Sequence, residues 1–166
     1  MTMRFAIRED DLSGAQTLKL LELHLLGMYE TSPPEAVFAL DLSGLQDPAV
    51  TLWGAWDGDR LAAIGALKML GGGEAEVKSM RTHRDFLRQG AAAALLDHII
   101  ETARARGVRR LSLETGRGPA FEAALAMYRR RGFTDGGPFS DYLPNDFSQF
   151  LHLALEEESS VRASAG

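Results

Sequence analysis

A segment in the middle of the chain combines residues that suit a phosphate-bearing ligand. A loop, residues 83–88, leads into Gln89-Gly90-Ala91-Ala92-Ala93 at the start of a predicted helix. Glycine and alanine let a ligand approach the backbone closely, and the first helical turn offers unpaired N–H groups and the positive end of the dipole. Arg84 and Arg88 could add positive charge. The segment indicates a pyrophosphate site, although small residues here are also typical of tight helix–sheet packing.

The elements around this segment alternate in an order that predicts a mixed α/β fold. Strands are predicted at residues 3–8, 50–56, 60–70, 74–82, 110–115 and 149–155, with one more beginning at Phe133. Helices are predicted at residues 12–29, 35–40, 89–106 and 119–131. Asp57-Gly58 and Gly71-Gly72-Gly73 are turn signals, so the middle strands form an antiparallel meander. The later strand–helix order implies right-handed crossovers and helices on both faces of the sheet.

The first helix has its own predicted start and buried face. Ser13 and Gln16 have the spacing of a capping box. A helical stripe of leucine and methionine is predicted to face the sheet: Leu18, Leu21, Leu25 and Met28.

Composition narrows the classes of function. The chain has 166 residues, a formal net charge of −5 and no cysteine. We expect a single domain over residues 1–155, a flexible tail over residues 156–166, and a cytoplasmic protein that binds neither nucleic acid nor membrane. Without cysteine there is no disulfide, thiolate metal site or cysteine nucleophile.

Two motifs together resemble the GNAT superfamily of N-acetyltransferases. The run Arg88-Gln89-Gly90-Ala91-Ala92 is similar to the family's acyl-CoA loop, and Ala124 to Phe133 is similar to its Ala-x-x-(Leu/Met)-Tyr-x-x-x-Gly-Phe ending. Two positions depart from the pattern: Leu87 stands where the loop usually has glutamine or arginine, and Phe121 where many members carry asparagine. Lys78 to Thr82 further resembles a bacterial subgroup of acetyltransferases whose acceptors are poorly defined.

The resemblance implies a GNAT fold and acetyl-CoA as co-substrate, with no metal. In the family, the strand matching Glu76 to Thr82 pairs its backbone with the pantetheine arm, and the following helix start holds the phosphates. A plain interior strand followed by a packed helix is the alternative. The implied cofactor contacts are Met80, Arg81, Thr82, Arg88, Gln89, Gly90, Ala91, Ala92, Ala93 and Tyr128.

Tyr128 matches the family tyrosine that sits near the thioester sulfur and can protonate the departing thiolate. A tyrosine with a pKa near 10 is a plausible donor to a thiolate. Tyr128 also continues an apolar helical stripe from Phe121, so a purely structural role is the alternative.

Two carboxylates are candidates for taking the proton of the attacking amine. Glu76 lies on the cofactor strand, on the same face as Lys78 and Met80 by strand alternation, and Glu114 lies at the end of the neighbouring strand. Either could instead serve in a salt bridge, with Lys78 an obvious partner for Glu76.

The acceptor is expected to be a primary amine of a small molecule, acetylated directly in a ternary complex. An acidic, partly aromatic wall suited to a cationic amine is suggested by Asp41, Asp141, Tyr142 and Asp146, although solvated loop acids fit equally. The four histidines show no metal spacing and are expected to be structural or solvated. A non-catalytic acyl-CoA-binding domain is the alternative function, and a homodimer is an assembly that the family often uses.

Overall fold

The described part of the chain folds around one seven-stranded sheet. The computed structural model describes residues 4–38 and 40–155. The strands lie in the order β1-β2-β3-β4-β5-β7-β6. Their bounds are β1 Ala6–Glu9, β2 Val50–Asp57, β3 Arg60–Gly71, β4 Glu74–Thr82, β5 Arg110–Thr115, β6 Thr134–Gly136 and β7 Gln149–Ala154.

The sheet is mixed and mostly antiparallel, as the sequence predicts. β4 and β5 run parallel, and the remaining neighbours are antiparallel. The chain reaches β5 through a helix on one face, which is the connection that parallel neighbours require. Turn residues set the meander: Gly58 at the β2–β3 turn has φ +61°, which a side chain rarely adopts.

Helices cover both faces. The α-helices are α1 Ala15–Thr31, α2 Leu42–Leu45, α3 Ala91–Ala105 and α4 Glu122–Arg130. Leu20 and Leu45, from α1 and α2, pack with Ile64 and Ala66 of β3. The residues of α3 and α4 join a second, larger cluster on the opposite face with Leu67, Val77, Leu111 and Leu151. We call these the α1 face and the α3 face.

The start of α1 differs from the prediction. Gly14 is the N-cap and supplies no side-chain bond. Ser13 instead bonds Asp11, and Gln16 crosses to the β2–β3 hairpin, where it accepts from the Leu61 N–H at 2.8 Å. The prediction of a capping box is therefore wrong, because the Gln16 side chain bonds to a residue distant in the sequence and not to the start of its own helix.

The buried stripe of α1 is confirmed at Leu21 and differs from the prediction at other positions. Its buried residues are Thr17, Leu20, Leu21 and His24, whereas Leu18 is 38% exposed. Leucine occurs on several sides of this helix, so periodicity alone could not select the face that meets the sheet.

The remaining differences concern short segments. In place of a helix over residues 35–40, a 3-10 turn spans Pro34–Ala36 and α2 follows at Leu42. β1 begins at Ala6. The expected tail, residues 156–166, lies outside the described residues. Within the described part of the chain, no helix is both long and apolar enough to cross a membrane.

Candidate acyl-transfer site

A gap opens between the two parallel strands. β4 and β5 are in register only from Glu74 opposite Arg110 to Glu76 opposite Ser112. Beyond that point β5 continues to pair with β7, while β4 runs on to Thr82. Among residues 4–38 and 40–155, no strand pairs with the β5-side edge of β4 after Glu76. The free edge can therefore accept an extended ligand as an added strand.

A β-bulge in β4 lies beside this gap. Ala66 is opposite Lys78 and Ile64 is opposite Arg81, so Ser79 and Met80 together face the single residue Gly65. Ser79 has φ +57°, a left-handed conformation that only a local constraint such as a bulge makes acceptable. Its buried hydroxyl has no hydrogen-bond partner within the described residues.

The bulge changes which side chains share a face. Because opposite residues of a pair lie on the same face, Lys78 and Arg81 project to the α1 face with Ala66 and Ile64. Met80 is turned to the α3 face, where its sulfur would lie 2.5 Å from a Cβ on Gly65. The expectation that Glu76, Lys78 and Met80 share a face is therefore wrong for Met80, because the extra residue breaks the two-residue alternation.

A buried ionic cluster stands on the α1 face at the start of the gap. Lys78 Nζ lies 3.2 Å from Glu76 Oε2 and 2.8 Å from Tyr142 Oη, and the Tyr142 hydroxyl donates to the same Glu76 oxygen. The Glu76 and Lys78 side chains are 4% and 9% exposed. Burial, and next the adjacent Glu76 charge, raises the pKa of Tyr142, so the phenol stays protonated as a donor. The cluster satisfies its own charges and fixes the Glu76 carboxylate in place.

Aromatic rings hold Tyr142 against the cluster. Its ring makes edge-to-face contacts with Phe38 at 5.1 Å and Phe139 at 5.0 Å between centroids, and Phe139 in turn meets Phe150 of β7. Such pairs each contribute about 1 kcal/mol beyond burial. The loop between β6 and β7 therefore closes over the α1 face as an apolar wall with one polar tip.

Glu114 lies on the same face and is less constrained than Glu76. It alternates with Ser112, which pairs with Glu76, and it is opposite Phe150. Burial raises the pKa of the Glu114 carboxyl, with the charge of Glu76 adding to the rise and the Ser148 hydroxyl and Lys78 charge opposing it. The Ser148 hydroxyl approaches without forming a well-aligned hydrogen bond within the described chain. The pKa of the Glu114 carboxyl therefore lies above the ordinary value of a glutamate.

Two basic side chains complete the α1 face. His24 is 7% exposed, and its pKa is lowered to about 4 by burial first, then by the charges of Arg81 and Lys78. The Arg81 guanidinium lies against α1, where a Cβ on Gly27 would come within 2.8 Å of Nη1. His24 is therefore neutral near pH 7, and its neighbourhood carries positive charge.

At the far end of the gap, α3 begins in a form suited to anions. Gly90 is the N-cap, has φ +90° and supplies no side-chain bond. A Cβ on Gly90 would meet nothing within 4 Å, and the first turn contains no acidic residue. Arg88 has φ +62° and is exposed, as is Arg84. The first turn thus presents unpaired N–H groups, the positive end of a helix dipole and two arginines nearby.

Tyr128 projects from α4 into the cluster on the α3 face. It is 6% exposed and packs edge to face on Phe133 at 5.8 Å. Burial raises its pKa above the ordinary value of 10. Phe121, one of the two departures from the family pattern, is buried and packs on Phe147 at 5.5 Å, whereas Leu87, the other, is 56% exposed.

The sequence did not single out the hydrogen-bonded pair of Ser112 and His152. Ser112 Oγ lies 2.8 Å from His152 Nδ1, and His152 Nε2 lies 2.8 Å from the Gly137 carbonyl. Because a carbonyl only accepts, Nε2 carries the proton and Nδ1 accepts from the serine. Ser112 is 1% exposed, so the pair fixes β5 to β7 behind Glu76 and offers no accessible nucleophile.

Of the suggested acidic wall, the structure brings only Tyr142 to the cluster. Asp41 caps α2 by accepting from the Gly44 N–H, and Asp141 and Asp146 are exposed. A surface depression of about 330 Å³ lies at the β6–β7 side, lined by residues such as Arg117 and Asn145 and reaching Ser148, but neither Glu76 nor Lys78 lines it. The described residues contain no group of three or more His, Asp or Glu side chains able to hold a metal ion.

Comparison with known proteins decides the family. A profile of the Acetyltransferase (GNAT) family matches residues 17–133. The chain belongs to the GNAT acetyltransferase family. The matched span runs from α1 to the end of the α4 segment, so it contains the free β4 edge, the α3 start and Tyr128.

Two proteins that align with most of this chain support the assignment to the family. The GNAT chain is 44% identical over 157 residues to YedL, an uncharacterized N-acetyltransferase of Escherichia coli (strain K12), covering 95% of this chain and 99% of that protein. It is 48% identical over 149 residues to the uncharacterized N-acetyltransferase YsnE of Bacillus subtilis (strain 168), covering 90% and 99%. The fold is shared with a Bacillus subtilis acetyltransferase solved in complex with CoA, at 18% identity and a TM-score of 0.69 over 92% and 100% of the two chains.

The predicted site residues fall into three places in the structure. Glu76 and Glu114 come together on the α1 face, and the residues from Met80 to Ala93 follow the free edge into α3. Tyr128 approaches from the α3 face. The sequence assigned no acceptor-side role to His24 or to the Arg81 side chain, because their surroundings depend on strand pairing and on where α1 packs.

Proposed function

We propose that this GNAT protein transfers the acetyl group of acetyl-CoA to a primary amine of a small molecule, directly within a ternary complex in the cytoplasm. One observation carries the proposal: the gap between β4 and β5 has a free strand edge, an uncapped helix start at its end, and a cluster of buried ionisable groups on one face. A non-catalytic acyl-CoA-binding domain would have no need of that cluster.

The donor side fits acetyl-CoA. The pantetheine arm pairs with the backbone from Met80 to Thr82, and the pyrophosphate sits on the N–H groups of residues 88–93 with Arg84 and Arg88 beside it. The orphaned Ser79 hydroxyl and the open space at Gly90 support this arrangement, since both are features that a ligand would use. The CoA complex of the Bacillus subtilis neighbour supports the same class of donor.

Glu114 is the group that we assign to the amine proton. The amine must be neutral to attack, and a base works best when its pKa lies near the working pH. Burial raises the pKa of Glu114, which moves the carboxyl in that direction. Glu76 holds Lys78 and Tyr142 through its one shared oxygen, so its role is to fix the wall of the site.

Tyr128 is the group that we assign to the leaving thiolate. The raised pKa keeps its hydroxyl protonated, and a phenol less acidic than a thiol stabilises the thiolate chiefly by donating a hydrogen bond as the C–S bond breaks.

The reaction then balances in one step of bond exchange. The amine nitrogen attacks the thioester carbonyl carbon, a C–N bond forms and the C–S bond breaks. Glu114 accepts the amine proton and passes it to solvent, and CoA leaves as the thiolate, which takes a proton from solvent. The chain contains no cysteine, so no cysteinyl acyl-enzyme intervenes.

Calorimetry of acetyl-CoA, CoA and ATP binding tests the donor site. Gly90→Glu places a charge and a strained side chain at the helix start, and we expect it to abolish binding of acetyl-CoA and CoA. Gly58→Glu is the matched control, since Gly58 also has positive φ and open surroundings but lies in the β2–β3 turn. Equal binding by wild type and Gly90→Glu, or ATP bound as tightly as CoA, would refute the site. Product formed from acetyl-CoA in an amine screen then separates the enzyme from a non-catalytic binding domain.

A further inference from the structure

Arg81 is a cation without a partner at the acceptor side of the site. It is partly buried on the α1 face, and it makes no salt bridge or hydrogen bond with residues 4–38 and 40–155. The β-bulge at Ser79 brings it to this face, because regular alternation would have sent residue 81 to the α3 face. A guanidinium has five donors and is almost never buried without acceptors.

The neighbouring charges do not compensate Arg81. Lys78 is already neutralised by Glu76, with Tyr142 bridging the two. His24 on α1 is neutral near pH 7. Glu114 also lies on this face, and it forms no ion pair with Arg81 in the described part of the chain. Arg81 is therefore a cation on the α1 face whose charge is not neutralised by an ion pair within the described residues.

The surface of α1 leaves room for the guanidinium. Gly27 faces it, and a Cβ there would approach Nη1 and Nη2 to 2.8 and 2.9 Å. Glycine inside a helix costs about 1 kcal/mol of stability relative to alanine. Its presence at this contact therefore indicates that the position of the Arg81 guanidinium matters for function.

We propose that Arg81 is a binding subsite for a carboxylate of the acceptor, so that the acceptor is an amino carboxylate. The inference rests on the proposed function and names its substrate class. The planar guanidinium fork matches a carboxylate with two parallel hydrogen bonds. A single arginine suits this monoanion, whereas a phosphate dianion calls for more positive charge.

Arg81 and Glu114 lie on the same face of the sheet, so we place one acceptor molecule across both. Arg81 follows the bulge residue Ser79 by two positions, which is about 7 Å along a strand. The amine to be acetylated must lie by the thioester, in the gap next to the bulge. An acceptor with its amine toward Glu114 and its carboxylate at Arg81 therefore lies along the α1 face of β4.

Steady-state kinetics with paired acceptors test the subsite. The panel consists of the L-amino acids and their C-amides, with polyamines and a short peptide bearing a free N-terminus, assayed by release of the CoA thiol. We expect wild type to prefer the acids over their amides. Arg81→Gln should raise KM for the preferred acid roughly tenfold to a hundredfold, as expected for loss of a charge-assisted hydrogen bond, and leave KM for acetyl-CoA unchanged.

Three variants separate recognition from folding. Arg81→Lys restores the charge and should recover part of the preference for acids. Gly27→Ala keeps every charge and favours the helix, yet its methyl group displaces the guanidinium, so the acceptor KM should rise without loss of stability. Arg130→Gln, at an exposed arginine of α4, should change neither constant.

The outcomes are distinct for the two proposals. If wild type acetylates amides or polyamines as well as acids, or if Arg81→Gln leaves the preference for acids intact, the carboxylate subsite is wrong and the acetyltransferase activity stands. If no amine in the panel is acetylated, the proposed function fails and this inference fails with it.

Discussion

Acid should destabilise this protein through His24. The side chain is almost completely buried, its Nδ1 has no hydrogen-bond partner in the described residues, and its pKa falls from 6.5 to about 4. A histidine with a lowered folded-state pKa binds its proton more tightly when unfolded. The stability it provides is therefore present above pH 6.5 and is lost as the pH falls toward 4.

The size of the loss follows from the two pKa values. Each pH unit between them is worth about 1.4 kcal/mol, so His24 should account for about 2 kcal/mol of lost unfolding free energy between pH 7 and pH 4.5. The free energy of unfolding of a typical domain is about 5–15 kcal/mol, so this loss is a large share of it.

Urea denaturation at pH 7 and pH 4.5 measures this loss. His24→Gln cannot take up the proton, so its stability should fall by about 2 kcal/mol less than wild type over the same interval. His83→Gln, in the loop before α3, controls for removal of a histidine and should behave as wild type. Equal acid sensitivity of wild type and His24→Gln would refute the buried, positively surrounded environment of His24.

Three further outcomes follow from the site. In wild type, kcat/KM should rise with pH as the Glu114 carboxyl loses its proton, and Glu114→Gln should remove that rise while Glu76→Gln retains it. An unchanged pH profile in Glu114→Gln would show that another group is the base. Tyr128→Phe should lower kcat about tenfold or more and leave acetyl-CoA affinity nearly constant, and wild-type kcat in this variant would end its assignment to the thiolate. Lys78→Met should lower the free energy of unfolding by about 3–5 kcal/mol, because it leaves the buried Glu76 charge unpaired; thermal denaturation that shows no loss would contradict the ionic cluster.

The sequence alone was sufficient for most of the elements and their order, the short helix expected at residues 35–40 being the exception. β4 and β5 have the predicted bounds, and α3 and α4 begin and end within a few residues of the prediction. These features depend on local physics: apolar alternation, and glycines such as Gly58 and Gly107 that adopt positive φ where a turn or a helix end requires it. The GNAT motifs were equally local, since each lies within a dozen consecutive residues.

The active face depended on tertiary structure. Tyr142 is 66 residues from Glu76, and no spacing in the sequence indicated that its hydroxyl would reach that carboxylate. The bulge at Ser79 depends on how β4 pairs with β3, and it alone decides that Arg81 lies beside α1 while Met80 lies over Gly65. In the sequence, His24 is an ordinary helix residue. Its lowered pKa arises only because folding buries it and places α1 next to Arg81 and Lys78. Strand pairing sets the direction of a side chain, and burial and nearby charges set its pKa. Both depend on groups brought together from distant parts of the chain, so local sequence cannot specify them.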